Sequence, residues 1–327
     1  MSFNNIIGQK RAINHIKNMI KSVRIPPGLL FCANEGTGRM TTALELAKIL
    51  NCRDEKFADK LDSCGKCLSC RNIADNIHPD VIRADFNLQA QILDLPLEKQ
   101  QHIKIETIRE LLRRAQQKPM LGNWKVFIVD KAQTMLMGAA NALLKLLEEP
   151  PPQMLWILIT TKKSAMLPTI LSRCQTIDFS PLKEKEVAEI LIKNKITSDV
   201  AFALAKFSRG SVEKALRVKE IIASYADVDS EGVNYPFDVS ANLPKELASA
   251  RKETMLILEL LITCTYQKWK AQENKRMRSN LHDLLEKFLK FETYLTKNVS
   301  PHRIIEASLL NAQTFNIKPF SSLANLV

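Results

Sequence analysis

No stretch of this 327-residue sequence is long and apolar enough to cross a bilayer; its longest apolar run, "MLILELLITC", is interrupted by Glu259. The opening "MSFNNIIGQKRA" lacks an apolar h-region, so no signal peptide is expected. Five histidines fall singly, with no HExxH or paired spacing. No Ser-His-Asp or Cys-His set can be assembled from the sequence, and His78, ahead of Pro79-Asp80, is expected to shape a strand entry rather than hold a metal. The seven cysteines are not spread like a secreted disulfide framework, and four of them cluster, which predicts a reducing cytoplasm. These absences argue against membrane proteins, secreted domains and the common triad hydrolases.

Hydrophobic residues make up 46% of the chain and charged residues 25%, ordinary values for a globular protein long enough for two or three domains. Charge is not balanced: 47 lysines and arginines stand against 35 acids, a net +12 that draws a protein towards polyanions. Up to about residue 180, apolar runs alternate with helical patterns, which predicts an α/β fold with a parallel sheet covered by helices. The expected strands are "GLLFC", "PDVIRA", "KVFIVD", "LWILIT" and "CQTIDF". A helix over "GAANALLKLLEE" ends at Pro150-Pro151-Pro152.

Three short helices are predicted across 181–224, then a non-helical linker over 225–244, where Gly232 and Pro236 interrupt a polar stretch. From 245 to 327 the pattern is helical, with Leu281, Leu284, Leu285, Phe288, Phe291 and Leu295 on one face. Ser300-Pro301 predicts a last helix with serine as N-cap and proline in its first turn.

The segment "GLLFCANEGTGRMTTALELAK" has the strand, glycine turn and helix of a phosphate-binding loop, but the G-x-x-x-x-G-K-[ST] register falls on Ala33, Gly38, Arg39 and Met40. Gly36 and Gly38 still permit backbone amides to curve around an anion. Arg39 is a larger, planar cation than lysine, and the Met40 thioether is a poor magnesium ligand. Thr41 lies about 100° further round the helix. In "KVFIVDKAQTM", Asp130 ends a strand as a magnesium-holding aspartate would, yet the next position, where a general base is needed, is Lys131. Both nucleotide motifs keep their structural positions and lose their catalytic ones, so no functional ATP site is expected.

Cys64-Gly-Lys-Cys67-Leu-Ser-Cys70, with Cys52 upstream, supplies four thiolates. Structural zinc, an iron–sulfur cluster lacking the usual closing Cys-Pro, and free thiols are the three readings of that set. Replacing Cys67 by Ser is expected to release the metal and loosen the segment from Cys52 to Cys70 while sparing the rest of the domain, since the module is inserted. Cys32, Cys174 and Cys264 lie in or beside apolar runs and are expected to be buried rather than reactive. Arg109, Arg113, Arg114 and Lys118 recur along one expected helix, "IETIRELLRRAQQK", as candidate DNA contacts or as a solvated face.

Together "FNNIIGQKRAINHI", "CGKCLSC", "ANALLKLLEEPPP", "LWILIT" and "LPTILSRCQTIDFSPL" resemble the AAA+ subunits of the bacterial replicative clamp loader. The resemblance spans nearly the whole chain and is most specific over residues 125–182. It implies a RecA-like domain (1–180) with a zinc module at about 52–70, a helical lid (181–224), a linker (225–244) and a helical collar (245–327). It further implies a hetero-pentameric ring with gamma/tau motor subunits and a delta subunit. Within DNA polymerase III holoenzyme this ring acts as a DNA-dependent ATPase and loads the sliding clamp onto primed DNA. Arg173, in the Ser-Arg-Cys motif, is then an arginine finger acting in trans on a neighbour's ATP. The losses at Arg39, Met40 and Lys131 place the chain with the inactive, delta-prime-like members. Two alternatives stand: an ATP-hydrolysing motor subunit with unorthodox site residues, and a solitary zinc-containing nucleic-acid binding protein.

Overall fold

A computed structural model describes residues 3–320 except 55, 57–59, 98–99, 227, 230–231 and 298. The final seven residues of the expected collar range, 321–327, lie outside the described residues. The chain divides into two compact units, residues 1–186 and 187–327.

The first unit is built on five strands, β1 (Gly28–Cys32), β2 (Val81–Ala84), β3 (Lys125–Val129), β4 (Met154–Thr160) and β5 (Gln175–Asp178), at the five places the apolar runs predict. They form one parallel sheet in the order β2-β3-β4-β1-β5. Every residue of β3 and β4 is buried, as expected of strands covered on both faces. Alternation sends Leu155, Ile157 and Ile159 to one side of the sheet. There they meet α1 (Lys10–Lys21) and α2 (Arg39–Asn51) through Ile16, Ala43 and Leu46. Met154, Trp156 and Leu158 face the other side, with α5 (Ile105–Ala115) and α6 (Met137–Glu148) contributing Ile108, Leu111 and Leu143. Trp156 stacks on Phe127 of the adjacent strand, ring centroids 4.4 Å apart. Between these lie α3 (Leu68–Ala74) and α4 (Phe86–Leu93), and the short α7 (Pro168–Leu171) precedes β5.

The second unit is helical. Three helices, α8 (Glu184–Lys193, which begins in the first unit), α9 (Ser198–Ser208) and α10 (Val212–Ser224), occupy the predicted positions. The expected linker is not free of helix: α11 (Tyr235–Ala241) lies inside it. Pro236 sits in the first turn, where a missing N–H costs nothing, and Tyr235, Pro236, Val239 and Ser240 are buried. A proline that reads as a breaker is here a helix starter, and a helix of seven residues is too short for its period to stand out. Two long helices, α12 (Leu247–Ala271) and α13 (Lys275–Thr296), pack along each other and on α14 (Pro301–Gln313). The stripe predicted on α13 turns inward: Leu281, Leu284, Phe288 and Leu295 are buried. Ser300 occupies the N-cap of α14 without a side-chain cap bond, and Pro301 follows in the first turn. No helix among the described residues is long and apolar enough to cross a membrane.

Candidate functional site: the glycine turn and a four-cysteine module

The carboxyl edge of the sheet is where parallel α/β folds usually bind ligands, and the glycine turn after β1 lies there. Gly36 and Gly38 adopt left-handed backbone (φ 74° and 92°), and Gly38 is the N-cap of α2. Gln9 ties this turn to the sheet, donating to the carbonyls of Thr37 (3.1 Å) and Ser180 (2.7 Å). Arg39 does not point to solvent. It is buried, and its Nη1 donates to the carbonyl of Thr160, the last residue of β4. Met40, in the first turn of α2, packs partly buried against the core on this side of the sheet. Thr41 is half-buried, and it is the next residue, Thr42, whose hydroxyl turns back to the Gly38 carbonyl (2.8 Å).

One strand over, Asp130 is held by protein groups. Its Oδ1 accepts from the N–H of Lys131 at 2.9 Å, and its Oδ2 lies 3.8 Å from Arg83 Nη2. Lys131, itself left-handed (φ 51°), places its ammonium 5.8 Å from the centre of the Phe86 ring. A protonated lysine at that place offers no general base.

Arg173 lies after α7 with a third of its side chain exposed, and Nη2 is 2.6 Å from Glu148 Oε1 at the end of α6. Nη1 donates to the Thr169 carbonyl (3.0 Å) and to Ser172 Oγ (3.1 Å). In the isolated chain the guanidinium is thus paired with a local carboxylate.

The four cysteines come together as their spacing predicts. The sulfurs of Cys52, Cys64, Cys67 and Cys70 all lie within 4.8 Å of one another. Tetrahedral zinc thiolate sites have Zn–S bonds of about 2.3 Å, which needs sulfurs roughly 3.8 Å apart, so a small contraction suffices. Backbone N–H groups already point at the sulfurs: Cys64 to Cys52 (3.4 Å), Cys67 to Cys64 (3.3 Å) and Cys70 to Cys67 (3.5 Å). Burial raises the Cys67 thiol, but hydrogen bonds from the Arg53 and Cys70 backbone and the neighbouring cysteines outweigh it and bring it down to about 7. Burial pushes Cys52 and Cys70 upward. The donor set fits a structural zinc ion.

This module is not the independent insertion its position in the sequence implies. Asp62 accepts from the N–H groups of Phe3 (3.0 Å) and Ser63 (2.9 Å), and from Asn4 Nδ2 (3.1 Å). Ser63 Oγ donates to Glu45 of α2 (3.2 Å), which forms a buried ion pair with Lys48 at 2.7 Å. His78 is buried, accepts the Asp80 N–H at Nδ1 (3.1 Å) and meets Ser69 Oγ at 3.0 Å, so it shapes the entry to β2 as expected. Of the remaining cysteines, burial pushes Cys174 up to about 12 and Cys264 up to about 11, while Cys32 is half-buried.

Arg109, Arg113 and Arg114 do share α5, but the helix ends at Ala115, leaving Lys118 beyond it. Arg109 and Arg113 are exposed. Arg113 and Arg114 both bind Glu110, each at 2.8 Å. The turn that stops the helix is fixed by two residues that sequence reading passed over. Lys125 Nζ is buried and donates to the carbonyls of Arg114 (2.7 Å) and Gln117 (2.6 Å). Asp80 accepts the N–H groups of Met120, Leu121 and Gly122 at 2.7–2.8 Å. A side chain at Gly122 would collide with Asn51 Oδ1, which accepts the Trp124 N–H at 2.8 Å.

Residues 8–183 match the family described as "DNA polymerase III, delta subunit". The chain is 31% identical over 205 residues to DNA polymerase III subunit delta' of Bacillus subtilis, covering 63% of this chain and 57% of that one. It is 30% identical over 233 residues to the gamma/tau subunit of Mycoplasma genitalium, covering 69% and 36% respectively. Its aligned part spans between 31% and 58% of the length of these and similar curated relatives. In structure it is similar to a DNA polymerase III gamma-subunit-related protein of Thermotoga maritima, with TM-score 0.50 and 16% identity over 91% of this chain and 98% of the other, a likeness of fold. With the family match over residues 8–183, which hold the parallel five-stranded sheet and the four-cysteine insertion ahead of a helical C-terminal unit, the chain belongs to the DNA polymerase III delta/delta' family of AAA+ clamp-loader subunits.

Proposed function

We propose that this chain is a non-catalytic, delta-prime-like subunit of a clamp-loader ring, supplying Arg173 in trans to ATP held by a neighbouring gamma/tau-like motor subunit. The observation that carries this reading is Arg39. The residue in the phosphate-binding lysine's place is buried and committed to the Thr160 carbonyl. Met40 on the core and Lys131 over Phe86 add to it, because neither supplies a magnesium ligand or a general base.

Arg173 suits a finger because its charge is permanent and its fork matches phosphate oxygens. To act in trans it exchanges Glu148 for the neighbour's phosphoryl group. Cys52, Cys64, Cys67 and Cys70 hold a structural zinc ion, which braces the segment against α2 and the N-terminal turn. The helices over 181–224 act as the lid, and those over 245–327 as the collar through which the ring assembles. With a delta subunit and motor subunits, the ring loads a sliding clamp onto primed DNA, and Arg109, Arg113, Arg114 and Lys118 contribute backbone contacts.

The test is reconstitution with motor and delta subunits. Arg173→Ala should leave assembly and zinc content unchanged and lower ATP hydrolysis by the complex, with lysine rescuing only in part. In related phosphoryl-transfer systems such fingers contribute on the order of 10³- to 10⁵-fold. Normal turnover at every site of an intact ring carrying the alanine variant would remove the finger role. Steady turnover by the isolated chain, abolished by Asp130→Ala, would replace the whole reading with that of a motor subunit.

A further inference from the structure

At the tip of the α12–α13 hairpin, residues 266–282 hold five lysines and arginines and a single carboxylate, Glu273. Lys268 is used within the fold, donating to the Phe315 carbonyl at 2.6 Å. Lys270, Lys275 and Arg276 are exposed, and none of the ion pairs found among the described residues involves them. Lys275, Arg276 and Arg278 crowd the start of α13, whose first turn has no acid. Cations there oppose the helix dipole, which favours negative charge at that end. Helix stability therefore does not explain them.

The same tip presents aromatic rings. Tyr266, 52% exposed, stacks on Trp269 with centroids 5.7 Å apart and planes 21° from parallel. The Arg278 guanidinium lies 4.3 Å from the Trp269 ring centre. Tyr266 and Arg278 thus both pack on Trp269, which leaves the open part of the Tyr266 ring backed by a neighbouring ring. An exposed π-face beside excess positive charge is what stacking recognition of single strands requires, since every base has a π-face and every nucleotide a phosphate.

We propose that the α12–α13 tip is a binding site for single-stranded nucleic acid, with Tyr266 as the stacking platform and Lys270, Lys275 and Arg276 on the backbone phosphates. This does not rest on the arginine-finger reading, and its test uses the full chain alone. Labelled 20-mers of dT and rU are titrated at low salt, following anisotropy and tryptophan emission. Trp156 is fully buried and Trp124 packs against the core, so emission changes report on Trp269. Binding of either 20-mer supports the site, and the difference between them shows whether the 2′-hydroxyl matters. Tyr266→Ala should weaken binding about fivefold or more, Tyr266→Phe should retain it, and Lys275→Glu with Arg276→Glu should weaken it strongly and flatten the salt dependence that remains. Three results overturn the proposal: no binding of either strand at about 100 μM protein, unchanged affinity in Tyr266→Ala, or an equal weakening by Tyr266→Ala on a duplex closed at both ends by hairpin loops, whose paired bases offer no free face in the stem. Circular dichroism of each variant checks that the helices persist.

Discussion

Arg39, directly after the glycine turn, donates its Nη1–H to the carbonyl of Thr160 at the end of β4. A charged group that a working loop would direct at phosphate instead completes the hydrogen bonding of a buried strand end. Replacing Arg39 by Lys and Met40 by Thr together should therefore restore part of the site without restoring the reaction. The double variant is expected to bind Mg-ATP more tightly than wild type by calorimetry, yet to hydrolyse it at background rate because Lys131 supplies no base. Turnover in the double variant would show that the defect at 131 is not limiting.

The cysteine module makes a second prediction, which differs from that of a free-standing insertion. Cys67→Ser should release the metal, seen as loss of zinc by elemental analysis of protein purified without chelators. Because Asp62 holds Phe3 and Asn4, and Ser63 reaches Glu45, faster amide exchange should extend from 60–70 into residues 3–4. β3 and β4, buried throughout, should exchange as before. Exchange confined to 60–70 would mean that Asp62 does not transmit the change. Iron with visible absorbance would favour a cluster instead.

The sheet and the cysteine cluster were legible because their signals are short-range: runs of buried apolar residues and a Cys-x2-Cys-x2-Cys spacing. What the sequence did not reveal lies in polar contacts between distant segments. Asp80 meets residues 120–122 forty positions on, and nothing in the expected strand "PDVIRA" marks it as their partner. Lys125, the first residue of a strand, caps the carbonyl end of a helix that finishes ten residues earlier. Gln89 ties α4 to the start of α5, accepting from the Lys104 N–H and from Thr107 Oγ1 at 2.8 Å. No periodicity marks any of these. The buried direction taken by Arg39 was equally hidden, since its position gives its register but not its rotamer.

His78 makes stability depend on pH with a definite sign. Burial lowers its pKa below the ordinary value of about 6.5; the Asp80 charge opposes this and Arg53 reinforces it. The Asp80 N–H at Nδ1 requires the neutral ring, whose Nε2–H then donates to Ser69. Between the lowered folded value and 6.5 the unfolded chain binds more protons, so stability rises with pH there and is lost as pH falls. Urea unfolding at pH 7.5 and 5.5 should show wild type losing more stability than His78→Gln. Equal losses would mean the ring is protonated without cost.

The last prediction concerns Glu110, which masks part of the basic face of α5. Its Oε2 accepts from Arg113 Nε, and its Oε1 accepts from Arg113 Nη2 and Arg114 Nε, each at 2.8 Å. The hydrogen bonds from Arg113 and Arg114 hold its pKa down to about 2, so it is ionised throughout the neutral range. Arg113, Arg114 and Glu110 together then present one net positive charge, and only Arg109 stands on that helix without this partner. If the face lies against DNA in the assembled ring, removing the carboxylate should strengthen binding. Glu110→Gln is expected to raise the affinity of the reconstituted complex for primed DNA at low salt and to steepen its salt dependence by about one phosphate equivalent. Arg109→Glu should do the reverse. Folding stability should change little, since exposed ion pairs contribute about 0.2–1 kcal/mol. An unchanged salt slope in both variants, with the ring intact, would make these arginines a solvated helix face and would move the search for DNA contacts elsewhere on the chain.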